Sequence, residues 1–61
     1  MTKELFEAYL RVQKSGQTNM FNVSQVIMLS GHALNKEDCL NIMMHYSKYE
    51  KEYKLTLKDI Q

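Results

Sequence analysis

The alternation of apolar and polar positions predicts a first helix from Thr2 to Ser15. Apolar residues recur there every three or four positions, and charged side chains fill the positions between them. This spacing places the apolar side chains on one broad face of a helix. Thr2 is expected to cap the first turn, and Gly16 to end the helix in a left-handed conformation.

The second predicted helix, residues 20–30, is apolar on nearly every side. Asn19 is expected to cap its start, and Gly31 to end it. A helix with apolar residues all round has to be buried on more than one side. Because two neighbouring helices in so short a chain cannot cover it, we expect the chain to self-associate, most simply as a two-fold homodimer.

The third predicted helix, from Lys36 to about Lys54, is the longest. Asn35 followed by Asp38 resembles a capping box at its start. One apolar stripe runs along it, formed by Cys39, Ile42, Met43, Tyr46, Tyr49 and Tyr53. The tail, residues 55–61, is expected to form a turn or an extended segment packed on this helix. The pattern therefore predicts a single all-α domain over residues 1–61, with two longer helices flanking a short central helix.

Composition excludes several classes of protein. The chain has 61 residues and one Cys, so it cannot close an intramolecular disulfide. Its longest apolar run, residues 26–29, is far short of the roughly 20 residues that span a membrane. The N-terminal segment is charged where a signal peptide is apolar. We therefore expect a cytoplasmic protein that does not enter a membrane.

The residues with catalytic or metal-binding chemistry are few. Cys39 and His45 are six positions apart, so on one helix they point to different sides and cannot form a nucleophile–base pair. With His32 they would supply only three ligands, at no standard metal-site spacing. We expect Cys39 to be a small core residue and both His to lie at the surface. The sequence thus predicts no enzyme, no metal and no cofactor.

The third helix carries the candidate residues for binding a partner. These are Leu40, Met44, Lys48, Tyr49, Lys51 and Tyr53. The tyrosines are either the outer part of the core stripe or a surface that binds another protein, a role for which tyrosine is well suited. Leu40 and Met44 lie off the stripe, where they either cover the tail or form a second apolar patch.

An alternative interpretation is a DNA-binding helix-turn-helix centred on Gly31. The second helix of that motif would begin with Lys36, Glu37 and Asp38, and the two acidic side chains repel phosphates. Only its far end, with Lys48, Lys51 and Lys54, is basic, and the net charge of +1 argues against binding driven by bulk electrostatics. A small DNA-binding regulator is therefore the second hypothesis.

One short run is more distinctive than the rest. It comprises Gly16, Thr18, Asn19, Met20 and Phe21. The run resembles the Gly-x-Thr-Asn-Met-Phe-Asp core of an uncharacterised small domain family of Gram-positive bacteria and their phages and prophages, with Asn22 in place of the usual Asp. The resemblance covers residues 5–30 and implies a phage or prophage context, without catalytic residues to carry over. The same run could also be a structural corner, in which Met20 and Phe21 pack between two helices.

These observations predict a small non-enzymatic protein-binding module. The family has no function to transfer, but given the phage context that the resemblance implies, we expect the module to modulate or inhibit a host protein in the bacterial cell, for example a defence or replication enzyme. An accessory phage component without inhibitory activity is left open.

Overall fold

The computed structural model describes residues 1–16 and 19–60, and the helical fold is confirmed there. The elements are α1 (Lys3–Ser15), α2 (Val23–Leu29), α3 (Lys36–Met44), α4 (Tyr46–Tyr53) and a 3-10 turn (Leu57–Asp59). The prediction of three helices is wrong in one respect, because the third segment contains two. The expected turn at 17–18, which includes Thr18 of the distinctive run, lies outside the described residues.

Both predicted ends of α1 are confirmed. The Thr2 hydroxyl oxygen accepts a hydrogen bond from the Leu5 N–H at 3.2 Å. Gly16 has φ of 66°, and its N–H donates to the Gln13 carbonyl at 3.3 Å. The left-handed conformation satisfies one of the carbonyls left open at the helix end, and glycine adopts it without steric strain.

Helix α2 begins later than the sequence pattern predicts. Asn22, not Asn19, caps it, with its side-chain oxygen accepting from the Gln25 N–H at 3.4 Å. The Asn19 side chain instead accepts from the Phe21 N–H at 2.9 Å. A bond to the residue two positions on closes an Asx turn rather than a helical turn, so the helix starts only at Val23.

The segment predicted as the third helix bends at His45, which has φ of −127°. His45 is the C-cap residue of α3 and also the N-cap residue of α4. Backbone bonds continue on each side: the His45 N–H donates to Asn41 O at 3.1 Å, and the Tyr49 N–H donates to His45 O at 3.0 Å. The Tyr49 hydroxyl also donates to Asn41 Oδ1 at 3.0 Å. Residues eight apart in a straight helix are about 12 Å apart along its axis, a distance that a bend can shorten.

The core surrounds α1. The buried residues of the core are Phe6, Tyr9, Leu10, Val12, Val26, Leu34, Cys39, Ile42, Tyr49, Leu55 and Ile60. The ring of Phe6 lies 5.7–6.0 Å from the rings of three tyrosines of α4, which places α4 across α1.

The tail forms the 3-10 turn and packs on α1, not on the third segment as expected. Ile60 is buried there, and the Lys14 ammonium donates to its carbonyl. Within the described part of the chain, no helix is long and apolar enough to cross a membrane.

Candidate protein-binding face

Two of the predicted partner-binding residues form an exposed patch on α3. Leu40 is 43% exposed and Met44 is 77% exposed. At 100° per residue, the apolar side chains of α3 cover about 200° of its circumference, in the order Ile42, Cys39, Met43, Leu40 and Met44. Cys39 and Ile42 point into the core, so the apolar arc extends past the core and into solvent. Of the two possibilities for Leu40 and Met44, the second apolar patch is observed.

A shallow groove of about 350 Å³ is lined in part by Met43, which neighbours Leu40 on the apolar arc of α3. It is lined by Tyr9, Gln13, Met20, Phe21, Met43 and Tyr46. The Tyr46 hydroxyl donates to Gln13 Oε1 at 3.0 Å, so these two polar groups bind each other across the groove. Burial raises the pKa of the Tyr46 phenol, as does the nearby Glu50, while the bond to Gln13 lowers it slightly. The hydroxyl therefore remains a neutral donor at physiological pH.

Phe21 stands at the rim of this groove and is 85% exposed. The prediction that it packs the corner with Met20 is wrong: Met20 is half-buried against the core, whereas Phe21 projects into solvent. Burying a phenylalanine side chain is worth about 1.5–3 kcal/mol, which this chain alone does not gain. We call Met20, Phe21, Leu40, Met43 and Met44 the Met/Phe face.

The Met/Phe face lies in the uncharged part of the chain. No Asp, Glu, Lys or Arg occurs from Ser15 to Asn35 or from Cys39 to Ser47. All eight basic and seven acidic residues lie elsewhere. Charged residues are depleted, and Met and Phe enriched, at the centres of protein–protein interfaces. The charge-free runs are a sequence signal for an interface, but they do not single out Phe21.

The predicted tyrosines are mostly covered by the fold. Tyr49 is only 7% exposed, and Tyr53 is half-buried with its hydroxyl donating to the Met1 carbonyl at 2.9 Å. Both pack in the core stripe, as one of the two interpretations predicts, and a direct contact of Tyr53 with a partner stays a prediction. Lys48 and Lys51 are exposed on α4.

A second, larger groove lies between α1 and the end of α2. Its volume is about 620 Å³, and Ala8, Val12, Leu29 and Ala33 contribute its apolar lining. The ion pair between Glu7 and Arg11 lies at this groove, and Glu4 adds a further charge. Because its lining mixes apolar and charged groups, it is a less favourable contact for an apolar partner than the Met/Phe face.

Helix α2 keeps part of its apolar surface uncovered. Val26 is buried, but Met28 is 60% exposed and Leu29 is 38% exposed. Met28 lies about 160° from Val26 around the helix, and so on the side away from the core. The predicted homodimer, inferred from this helix, stays a prediction.

The remaining chemical groups are separated. Cys39 is fully buried, and burial, with a smaller contribution from the charge of Asp38, raises the pKa of its thiol. His45 lies at the bend, with its ring 6.1 Å from that of Tyr49. Among residues 1–16 and 19–60, no three His, Cys, Asp or Glu side chains gather where a metal ion could bind.

The chain shows no detectable similarity to known proteins: no family model, no curated protein and no solved structure matches it. The resemblance of residues 16–22 to a phage and prophage family therefore stays a prediction.

Proposed function

We propose that this chain is a non-enzymatic protein-binding module that holds an apolar segment of another protein against its Met/Phe face. The supporting observation is the exposure of Phe21 and Met44, at 85% and 77%, in an uncharged region beside a groove. Methionine side chains are unbranched and polarizable, so they adapt to the shape of a partner. An aromatic ring among them supplies the large contact area that anchors most interfaces.

The proposed partner is a host protein in the bacterial cytoplasm, such as a defence or replication enzyme. The resemblance of the run at residues 16–22 supports this context. The proposed mechanism is occlusion, in which the module covers a surface that the host protein needs. A standard interface buries about 800 Å² on each partner, roughly a fifth of the 4261 Å² that this chain exposes.

The DNA-binding alternative has weaker support. Helix α3, which would read the DNA, carries Glu37 and Asp38 in its first turn beside Lys36, and it ends at Met44, before Lys48 and Lys51. Lys48 and Lys51 belong to α4, where Glu50 and Glu52 offset their charge. A duplex-binding surface needs clustered positive charge to displace counterions.

Capture from a Gram-positive lysate, run with and without nuclease, tests the proposed function. We would compare the unchanged chain with a Phe21→Ser/Met44→Ser variant and a Lys48→Ser/Lys51→Ser control, since all four side chains are exposed. We expect the unchanged chain and the lysine control to retain the same discrete protein, and the face variant to lose it. Equal retention by the face variant would contradict the proposal. Retention of nucleic acid only, lost in the lysine variant, would favour the regulator.

A further inference from the structure

We infer that, in the free protein, the Met/Phe face is covered by a second copy of the chain. In this two-fold dimer, Phe21 of each copy occupies the groove of the other. The inference rests on the proposed function, because it names the occupant of the same face when no other partner is bound. It differs from a dimer formed through the outer side of α2, where Met28 lies.

Charge is the first argument for a second copy. A two-fold interface brings the same patch of both chains together, so a charged group near the axis meets its like. The lining of the 350 Å³ groove is entirely uncharged, as are Leu40 and Met44 beside it. The larger groove, in contrast, would bring Glu4 and Glu7 of one copy towards those of the other. The Met/Phe face is thus the groove-bearing surface that two copies can share without repulsion.

Shape is the second argument. An isologous interface needs a projection and a recess on the same patch, because each copy supplies both. Phe21 is the projection, at 85% exposure, and the groove that it borders is the recess. At about 350 Å³, the recess is near the lower limit for ligand sites, a size that suits one large side chain.

Area indicates a weak dimer. Phe21 presents on the order of 150 Å² of surface, and the Met/Phe face has five residues where a standard interface has about 20–30 on each side. Interfaces below the standard size are typical of transient complexes. A weak dimer would dissociate when a tighter partner is present, so self-association would compete with partner binding at this face.

Sedimentation velocity across micromolar to millimolar concentrations tests the inference. We expect the mass of the unchanged chain to rise from 7.2 kDa towards twice that value as concentration increases. We expect Phe21→Ser to weaken association at least tenfold, the effect of losing a central aromatic contact. Met28→Ser is the matched control, since Met28 is also exposed but lies outside the groove, and it should leave association unchanged.

Three outcomes would overturn the dimer: a monomer at every concentration, association unaffected by Phe21→Ser, or association weakened equally by Met28→Ser. Circular dichroism of each variant checks that the fold is intact. A monomer that still captures a host protein through the Met/Phe face would leave the proposed function standing. A dimer that captures nothing would support this inference alone.

Discussion

At the scale of single residues, the backbone of the described residues 1–16 and 19–60 adopts left-handed conformations at two positions that are not glycine. Lys54 has φ of 51° where α4 ends, and His32 has φ of 63° directly after Gly31. A residue with a Cβ pays about 1–2 kcal/mol for this conformation, which glycine adopts freely. The chain ends α1 with Gly16 but ends α4 with Lys54, so the two helix ends differ in strain.

We expect Lys54→Gly to raise the free energy of unfolding by up to about 1 kcal/mol, because it removes this strain. Gly16→Ala introduces the same strain where the chain has none, and it should lower the free energy of unfolding by about 1 kcal/mol. A Cβ at Gly16 would meet no atom within 4 Å, so its effect comes from the backbone alone. Urea unfolding measures both values. A destabilising Lys54→Gly would contradict the argument.

Buried ionisable side chains predict how stability depends on pH. Burial raises the pKa of the Cys39 thiol above its ordinary value of 9.0 and that of the Tyr9 phenol above 10.0. The unfolded chain therefore loses these protons first as the pH rises. The two neutral side chains therefore contribute fully to the free energy of unfolding below about pH 9. Their contribution is lost progressively as the pH rises, first that of the thiol above about pH 9 and then that of the phenol above about pH 10.

Urea unfolding at a series of pH values checks this dependence. We expect these groups to leave the urea concentration at the unfolding midpoint constant between about pH 7 and pH 8, and to lower it above about pH 9. In a Cys39→Ala variant the decline should begin at higher pH, since only the tyrosines then contribute. A midpoint that rises with pH in this range would show that the sign is wrong.

At the scale of elements, the hydrogen bond from Tyr49 to Asn41 connects α3 and α4 across the bend. We expect Tyr49→Phe to lower the free energy of unfolding by about 1 kcal/mol, because it removes the bond at a buried site. Tyr53→Phe is the matched control: it also removes a tyrosine hydroxyl bond, but an exposed one, to the chain terminus. We expect a loss of only a few tenths of a kcal/mol there. Equal losses in both variants would argue that the bond across the bend has no special role.

The sequence predicts the helix ends better than the helix interiors. Thr2, Gly16 and Asn35 act through local hydrogen bonds, and the capping box of Asn35 with Asp38 is present as predicted. The bend at His45 was missed because the apolar stripe continues across it at regular helical spacing, and neither Pro nor Gly marks the position. The start of α2 was misplaced because Asn19 and Asn22 are equally good caps, and only the folded chain selects between them.

The candidate site was predicted in part. Leu40 and Met44 could be identified because they lie off the apolar stripe of their helix. Phe21 could not, since its neighbours in sequence also predict a packed corner. Whether an aromatic side chain faces the core or solvent depends on the tertiary arrangement, which the helical periodicity of one segment does not contain.

At the scale of the whole molecule, the small size of the chain explains why an exposed apolar face would be used. A domain of about 60 residues buries only about 60% of its unfolded surface, so its core is thin. A partner, whether a second copy or another protein, adds buried apolar area that the chain cannot provide alone. In the described part of the chain, the Met/Phe face exposes apolar side chains and contains no charged residue, so a partner can bury it without covering a charge.

The five methionines allow the most direct test of this claim. We would label their methyl groups with carbon-13 and record spectra over a range of concentrations. We expect the signals of Met20, Met43 and Met44 to shift together as concentration rises, while those of Met1 and Met28, which lie outside the Met/Phe face, stay constant. Unchanged spectra, or shifts confined to Met28, would contradict the assignment of the Met/Phe face as the binding surface of the free protein.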